Sequence, residues 1–388
     1  MSATDLTCVL MALLRFEMTA ERPDEAILAS FTERLNEVYT LAAEHDVAHL
    51  VAHAALTLIP EQLTAAQRAA MDKVRLLAVY RSEQKRYQIG EVRRVFREAQ
   101  IPFVLLKGAV MRERYPEAWM RTSCDIDVLV PTADAERACE VLVRELSYEK
   151  EGLGSHDVSL RAPDGVHVEL HIDLCEPDYR PFPTLSPERV FAVAQVAPDG
   201  WERTLPDELL YVYHIAHMAK HVWYGGCGIR PFLDELLLLD ESESVAAARH
   251  RALEAEGLVT FDEVVRELCR AWLLGGPMTE RAARLEGFLL RGGVYGTREN
   301  RVAVQQSQRG GRLGYLLSRL FLPFAVMRRQ YPVLKRWPVL LPVCHVRRWC
   351  RLIFGGRLAH GVRELSYNAS MDAETGARAA ELLHSIGL

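Results

Sequence analysis

Apolar residues recur at spacings of three and four through residues 31–58 and again through residues 76–96. That is the period of helices with one buried face. Pro60 interrupts the first run, and Thr64 stands where a side-chain oxygen would cap the next helix. The pattern then changes character. Phe103, Val104, Leu105 and Leu106 form a short unbroken apolar run, which predicts a buried strand ending at Lys107-Gly108. A short helix is expected through Val110 and Met111 to Arg114, closed by Tyr115-Pro116. Residues 125–130 read as a second strand stopped by Pro131, and residues 133–146 as a helix rich in good helix formers. Two more strands, 158–161 and 166–172, flank Pro163-Asp164-Gly165, where Asp-Gly supplies the positive φ of a hairpin turn. From Pro206 onward helices return, at 207–223, 230–240 and 283–290. Residues 313–354 are apolar, basic and punctuated by Pro323, Pro332, Pro338 and Pro342.

The order β-α-β-α-β-β predicts an α+β protein: a mixed β-sheet core with flanking helices and helical N- and C-terminal segments, not a doubly wound parallel sheet. Four regions are expected: a helical segment at 1–98, the sheet core at 99–180, a helical domain at 181–290 and a basic, proline- and arginine-rich helical region at 291–388.

Bulk properties narrow the picture little. The balance of apolar and charged residues is that of a globular protein, and the net charge is -5. That average hides an uneven distribution: residues 291–357 hold fourteen Lys or Arg against a single acid, Glu299. Such a stretch suits phosphate-bearing partners or an anionic membrane surface. The N-terminus lacks the basic and apolar regions of a secretion signal and reads as mature protein. The most apolar later stretch, residues 313–326, contains Arg319 and falls short of the roughly twenty residues that span a bilayer. The eight cysteines form no CxxC pair, which together with the missing signal predicts reduced thiols and a cytoplasmic protein.

The chemistry gathers on two strands. Asp125 and Asp127 are one residue apart, so both project from one face while Ile126, Val128 and Val130 bury the other. Two carboxylates so close repel unless a cation or proton lies between them. Mg²⁺ suits them, because it takes one or two carboxylates plus substrate phosphates. In residues 166–173 the apolar residues alternate with His167, Glu169, His171 and Asp173, so Glu169 offers a third carboxylate on a second strand. Three such groups can hold two metal ions. An Asp-x-Asp pair alone is equally well a solvated strand start; Lys107-Gly108 before it and Glu169-Leu170-His171 after it tip the balance.

The set Leu106-Lys107-Gly108, Tyr115-Pro116, Arg121, Asp125-x-Asp127-x-Leu129-Val130, His156 and Glu169-Leu170-His171 resembles a poorly characterised group of bacterial nucleotidyltransferases, similar in its core to the DNA polymerase beta superfamily. The resemblance spans about residues 30–360. It implies a nucleotidyltransferase core at 99–180 and Mg²⁺-dependent transfer of an NMP group from an NTP, ATP among the candidates, to an unknown acceptor. Asp125, Asp127 and Glu169 would be the catalytic metal ligands. Lys107, Gly108, Ala109 and Arg121 would hold the triphosphate, with Ala109 standing where the superfamily usually carries serine and Lys107 adding charge. A non-catalytic nucleotide-binding or regulatory protein on the same fold is the alternative.

His156 and His171 are candidates for acceptor binding, proton transfer or hydrogen bonding behind the ligands. His214, His217 and His221 fall at i, i+3 and i+7 on one helix, where the resemblance suggests contact with the core and Asp234 as a partner; a separate zinc site is the lesser reading. His45, His49 and His53 read as a partly exposed helix face. Arg328-Arg329, Lys335-Arg336 and Arg347-Arg348, interleaved with Trp337 and Trp349, would meet nucleic acid or lipid headgroups, or form solvated faces with the aromatics packed inward.

Overall fold

The computed structural model describes residues 5–354, apart from 155, 176–178, 180–181, 241, 294–295 and 310, together with residues 373–388. Within it the chain divides into two compact units. The first comprises Met1–Met218 and Ile229–Ala282, and the second Ala219–Gly228 and Ala283–Leu388.

Four helices open the first unit: α1 (Leu6–Thr19), α2 (Glu25–Glu33), α3 (Leu35–Glu44) and α4 (Ala48–Leu58). Asp24 caps α2 by accepting the Ile27 N–H at 2.8 Å. The long α5 (Ala65–Glu98) starts at a capping box: Thr64 Oγ1 accepts the Gln67 N–H and the Gln67 side chain accepts the Thr64 N–H.

The seven-stranded sheet follows. Its strands are β1 (Phe103–Leu105), β2 (Asp125–Leu129), β3 (Glu149–Leu153), β4 (Asp157–Arg161), β5 (His167–His171), β6 (Gln195–Val196) and β7 (Glu202–Thr204). They lie in the order β3-β4-β5-β2-β1-β7-β6. β2 runs parallel to β5 and β1 parallel to β7, while the other neighbours are antiparallel, so the sheet is mixed. Gly165, at φ 88°, makes the β4–β5 turn. β3, β6 and β7 carry no apolar run and were not anticipated by periodicity. They are short or polar strands toward the sheet's two ends: β3 and β6 are the edges, and β7 lies between β1 and β6.

One face of the sheet is dry. Ile89, Val92 and Phe96 of α5 and Val141 and Leu142 of α7 (Ala135–Leu146) pack on Ile126, Val128, Val168 and Leu170. The opposite face therefore receives every second side chain of β2 and β5, among them Asp125, Asp127 and Glu169. After α8 (Pro187–Val193), the helices α9 (Asp207–Trp223), α10 (Arg230–Leu238), α11 (Glu243–Ala255) and α12 (Val259–Leu273) follow.

His45, at the C-terminal cap of α3, and His49 and His53 of α4 depart from expectation. His45 and His49 are buried, His49 Nε2 lies 2.8 Å from the Met120 carbonyl oxygen, and His49 and His53 both meet the Trp119 ring edge-on. α4 is packed against α1, α3 and α5, so its polar face is interior rather than solvated.

Beyond α13 (Glu280–Gly292), the second unit holds α14 (Arg298–Gln308), α15 (Gly311–Leu320), α16 (Phe324–Gln330), α17 (Val333–Arg336), α18 (Leu341–Phe354) and α19 (Ala373–Ser385). Met327, Tyr331, Leu334 and Cys344 form a small core among them. No helix among the described residues is long and apolar enough to cross a membrane.

Candidate active site

The parallel register of β2 and β5 sets the site. It places Asp125 opposite His167 and Asp127 opposite Glu169, on the face turned away from α5 and α7. Asp127 is buried, and its Oδ1 accepts from Lys107 Nζ at 2.5 Å and lies 2.7 Å from His171 Nε2. His171 Nε2 is also 3.5 Å from Glu169 Oε2. Ligand atoms of Asp127, Glu169 and His171 all fall within 4.8 Å of one another. Asp125 stands outside that cluster, two residues along the same strand, at the wall of a neighbouring cavity.

The electrostatics of the two aspartates diverge. Burial and then the charge of Asp127 push the Asp125 carboxyl above the usual range. Burial opposes ionisation of Asp127 as well, but Lys107 and His171 outweigh it and hold that carboxyl well below its ordinary value. The hydrogen bond from His171 lowers Glu169. Burial works against the Lys107 and His171 cations, yet Asp127 keeps both above their usual values. The site thus holds more negative charge than its own cations neutralise.

That surplus is what a hard divalent cation would satisfy, and the donors present are of the right kind: carboxylate oxygens from two neighbouring strands. His171, nearly fully buried, fixes the Asp127 carboxylate through its Nε2.

Lys107 sits in the β1–α6 turn with φ 46°, where α6 is the single turn Gly108–Met111. A non-glycine residue there costs about 1–3 kcal/mol, a strain characteristic of functional turns. The turn aims the ammonium at Asp127. Gly108 next to it admits no larger residue without movement, because a Cβ would lie 3.0 Å from Ser123 Cβ and 3.2 Å from its Oγ. The Ala109 N–H is donated to the Leu106 carbonyl at 3.1 Å. Tyr213 of α9 comes close enough to Lys107 to raise its pKa further.

Arg121 lies elsewhere in the network. Its Nε and Nη2 each donate to a different oxygen of Asp234 at 2.7 Å, and Tyr115 Oη donates to Asp234 Oδ1 at 2.8 Å. Asp234 is therefore held by Arg121 and Tyr115, and His214 of the histidine helix is near enough to lower its carboxyl further. His214 also approaches Glu235 of α10, Nε2 to Oε2 at 3.4 Å. His156 stacks at a tilt on His171, ring centres 5.3 Å apart. The His217 ring lies 6.1 Å from that of Tyr213. His221, on the last turn of α9, belongs to the second unit.

The cavity beside Asp125 has a volume of about 370 Å³. Gly108, Ala109, Arg121, Ser123 and Asp125 form part of its wall, and α5 supplies Arg81 and Lys85. Lys85 Nζ donates to Ser123 Oγ at 2.9 Å and to the Ser123 carbonyl, while Ser123 Oγ donates to the Asp125 carbonyl at 2.8 Å. Burial lowers the Lys85 ammonium to about 8. Arg112, also buried, donates to Ser82 Oγ at 2.7 Å and to the Ser82 carbonyl at 3.1 Å. Lys85 is thus a cation hydrogen-bonded to neutral oxygens, while Arg112 also has the Glu113 carboxylate 3.5 Å from its Nε. Sequence reasoning passed over Lys85: it lies in the middle of a 34-residue helix, far from any motif, and only the overhang of α5 beyond the sheet brings it here.

The fold is that of an α+β protein with a nucleotidyltransferase-like mixed sheet. The model of the family described as "Uncharacterised nucleotidyltransferase" matches residues 32–273, well over half of the sequence, and the chain belongs to that family. Among solved structures, the chain is similar to the antibiotic-resistance factor ANT(2'')-Ia, at 15% identity over 53% of this chain and 97% of that one, with a TM-score of 0.28. No curated protein matches the sequence.

Proposed function

We propose that the chain transfers an NMP group from an NTP to an acceptor, with a divalent metal ion held by Asp125, Asp127 and Glu169. The observation that carries this reading is the face shared by β2 and β5, where three carboxylates exceed the charge of Lys107 and His171. Mg²⁺ bound there would neutralise phosphate oxygens and position the transferring group. The chain's own residues do the rest. Lys107 fixes Asp127 and supplies positive charge at the turn where the phosphates would arrive. His171 locks the Asp127 carboxylate in one orientation. Lys85 and Arg112 give the adjoining cavity an affinity for anionic groups, which suits the triphosphate, with Gly108 and Ala109 as its floor. Arg121 acts through Asp234 to hold the loop leading into β2. His156, its ring tilted against that of His171, would steady it.

One observation favours a second reading, a nucleotide-binding protein without transfer: Asp127 Oδ1 already holds both an ammonium and an imidazole. The two readings separate in one experiment. The purified protein is incubated with each α-labelled NTP, Mg²⁺ and a cell extract as acceptor source, beside an Asp125→Ala/Asp127→Ala control. Label transferred by the wild type alone supports transfer. Binding without transfer supports the second reading, and no binding of any NTP removes both.

A further inference from the structure

The helices of the second unit carry an apolar surface of their own. Among the described residues, ten of the nineteen exposed large hydrophobics lie between residues 313 and 346, a stretch of under a tenth of the chain. Scattered singly, exposed apolar residues need no explanation, but a concentration does. These fall into two helical stripes. Leu313, Leu317 and Phe321 recur every four residues along α15 and its end, and Val339, Val343 and Val346 follow helical spacing along α18 and the turn before it. The two helices are pinned together. Trp349 Nε1 of α18 donates to the Leu320 carbonyl at 2.9 Å, and the Phe321 and Trp349 rings meet edge-on with centres 5.5 Å apart. On the same run of helices Arg328, Lys335, Arg336, Arg347 and Arg351 are exposed, in a region that holds fourteen Lys or Arg and one acid in sequence.

We propose that this surface docks on an anionic lipid bilayer, with α15 and α18 lying in the headgroup plane and their apolar stripes entering the acyl boundary. Water leaves both features unsatisfied, whereas an anionic membrane interface accepts aliphatic side chains and guanidinium groups together. Arginine stems can lie along the apolar boundary with their heads among the phosphates. A second copy of the chain is the poorer occupant, because it would bring two strongly basic surfaces face to face. RNA would reward the arginines and leave Leu313, Leu317 and the valines in water. The proposal is independent of the transfer reaction.

Flotation of the full-length protein with vesicles tests it directly. Wild type is expected to float with phosphatidylglycerol-containing vesicles and not with pure phosphatidylcholine, and added salt should weaken the binding. Leu317→Asp and Val343→Asp, both at exposed positions, should each weaken it roughly tenfold or more. Leu76→Asp, equally exposed on α5 of the first unit, should leave it unchanged; circular dichroism confirms that each variant is folded. The proposal is overturned if wild type fails to float, or if binding ignores Leu317→Asp and Val343→Asp. It is equally overturned if light scattering finds a dimer that these substitutions dissociate while vesicles bind nothing, or if the protein retains RNA but no vesicles.

Discussion

Two buried ionic clusters lie within the same unit and differ in one respect. Around Asp234 the account closes: one carboxylate meets one guanidinium through two 2.7 Å hydrogen bonds, and the Tyr115 hydroxyl takes up what remains. Around Asp127 it does not. Lys107 and His171 serve that carboxylate, but Asp125 and Glu169 stand beside it and Asp125 is pushed toward its neutral form. A closed ion pair is a structural tie, whereas an open one is a place for a further cation. That difference separates Arg121, which resemblance alone would put on a triphosphate, from Lys107.

The largest effect should come from opening the closed cluster. Arg121→Ala leaves Asp234 buried without its counter-ion and is expected to destabilise the first unit by about 3–5 kcal/mol, read by chemical denaturation. A loss below about 1 kcal/mol would show that the fork is not structural.

Asp125→Asn makes the opposite cut. Transfer activity should fall by about two to three orders of magnitude, while stability at neutral pH holds or rises. The sign follows from the raised carboxyl: a folded-state pKa above the unfolded value makes the ionised form unfavourable, so Asp125 detracts from stability increasingly as pH rises above the ordinary carboxylate range near 3.8. Asp127, depressed, contributes in the other direction, a stability present at neutral pH and lost as acid protonates it. Denaturation across pH should therefore show wild type gaining less than Asp125→Asn between mildly acidic and neutral pH. Parallel curves would remove the repulsion.

Mg²⁺ or Mn²⁺ sharpens the same contrast. At about a hundredfold its dissociation constant, a bound ion stabilises by about 2.7 kcal/mol. The wild-type Tm should then rise by several degrees and that of Asp125→Asn/Asp127→Asn should not. The smallest effect concerns the cavity. Lys85→Met should weaken NTP binding roughly tenfold, the worth of one charge-assisted hydrogen bond. In the wild type, affinity should decline as pH climbs through about 8, where the ammonium loses its proton; a flat titration to pH 9 would place the triphosphate elsewhere.

Much of the fold was legible because its signals are periodic. β2 and β5 announce themselves by alternation, α9 by its helical repeat over Asp207–Trp223, and α5 by Thr64 at its start and apolar spacing further along. The carboxylate face followed from the same alternation. What stayed hidden was set by tertiary placement. β3, with Glu149, Lys150 and Glu151, looks like a solvated loop and becomes a strand only because β4 offers a partner. The tie between Arg121 and Asp234 joins residues 113 apart. The burial of His45 at the end of α3 and of His49 on α4 depends on what packs over them, and no helical spacing reports that.

The pairing of Asp127 with Glu169 has a consequence for folding as well. The two residues are brought level by a parallel ladder that joins segments some forty positions apart, so the face is completed only after slow, non-local pairing. A slip of β5 by a single residue would turn Val168 and Leu170 to water and drive Glu169 into the packed layer under α5. Misregistered chains would then lack the acidic face altogether and expose aliphatic surface in its place. The acidic face serves as a proofreading mark for the sheet: a molecule that has it has its strands in line.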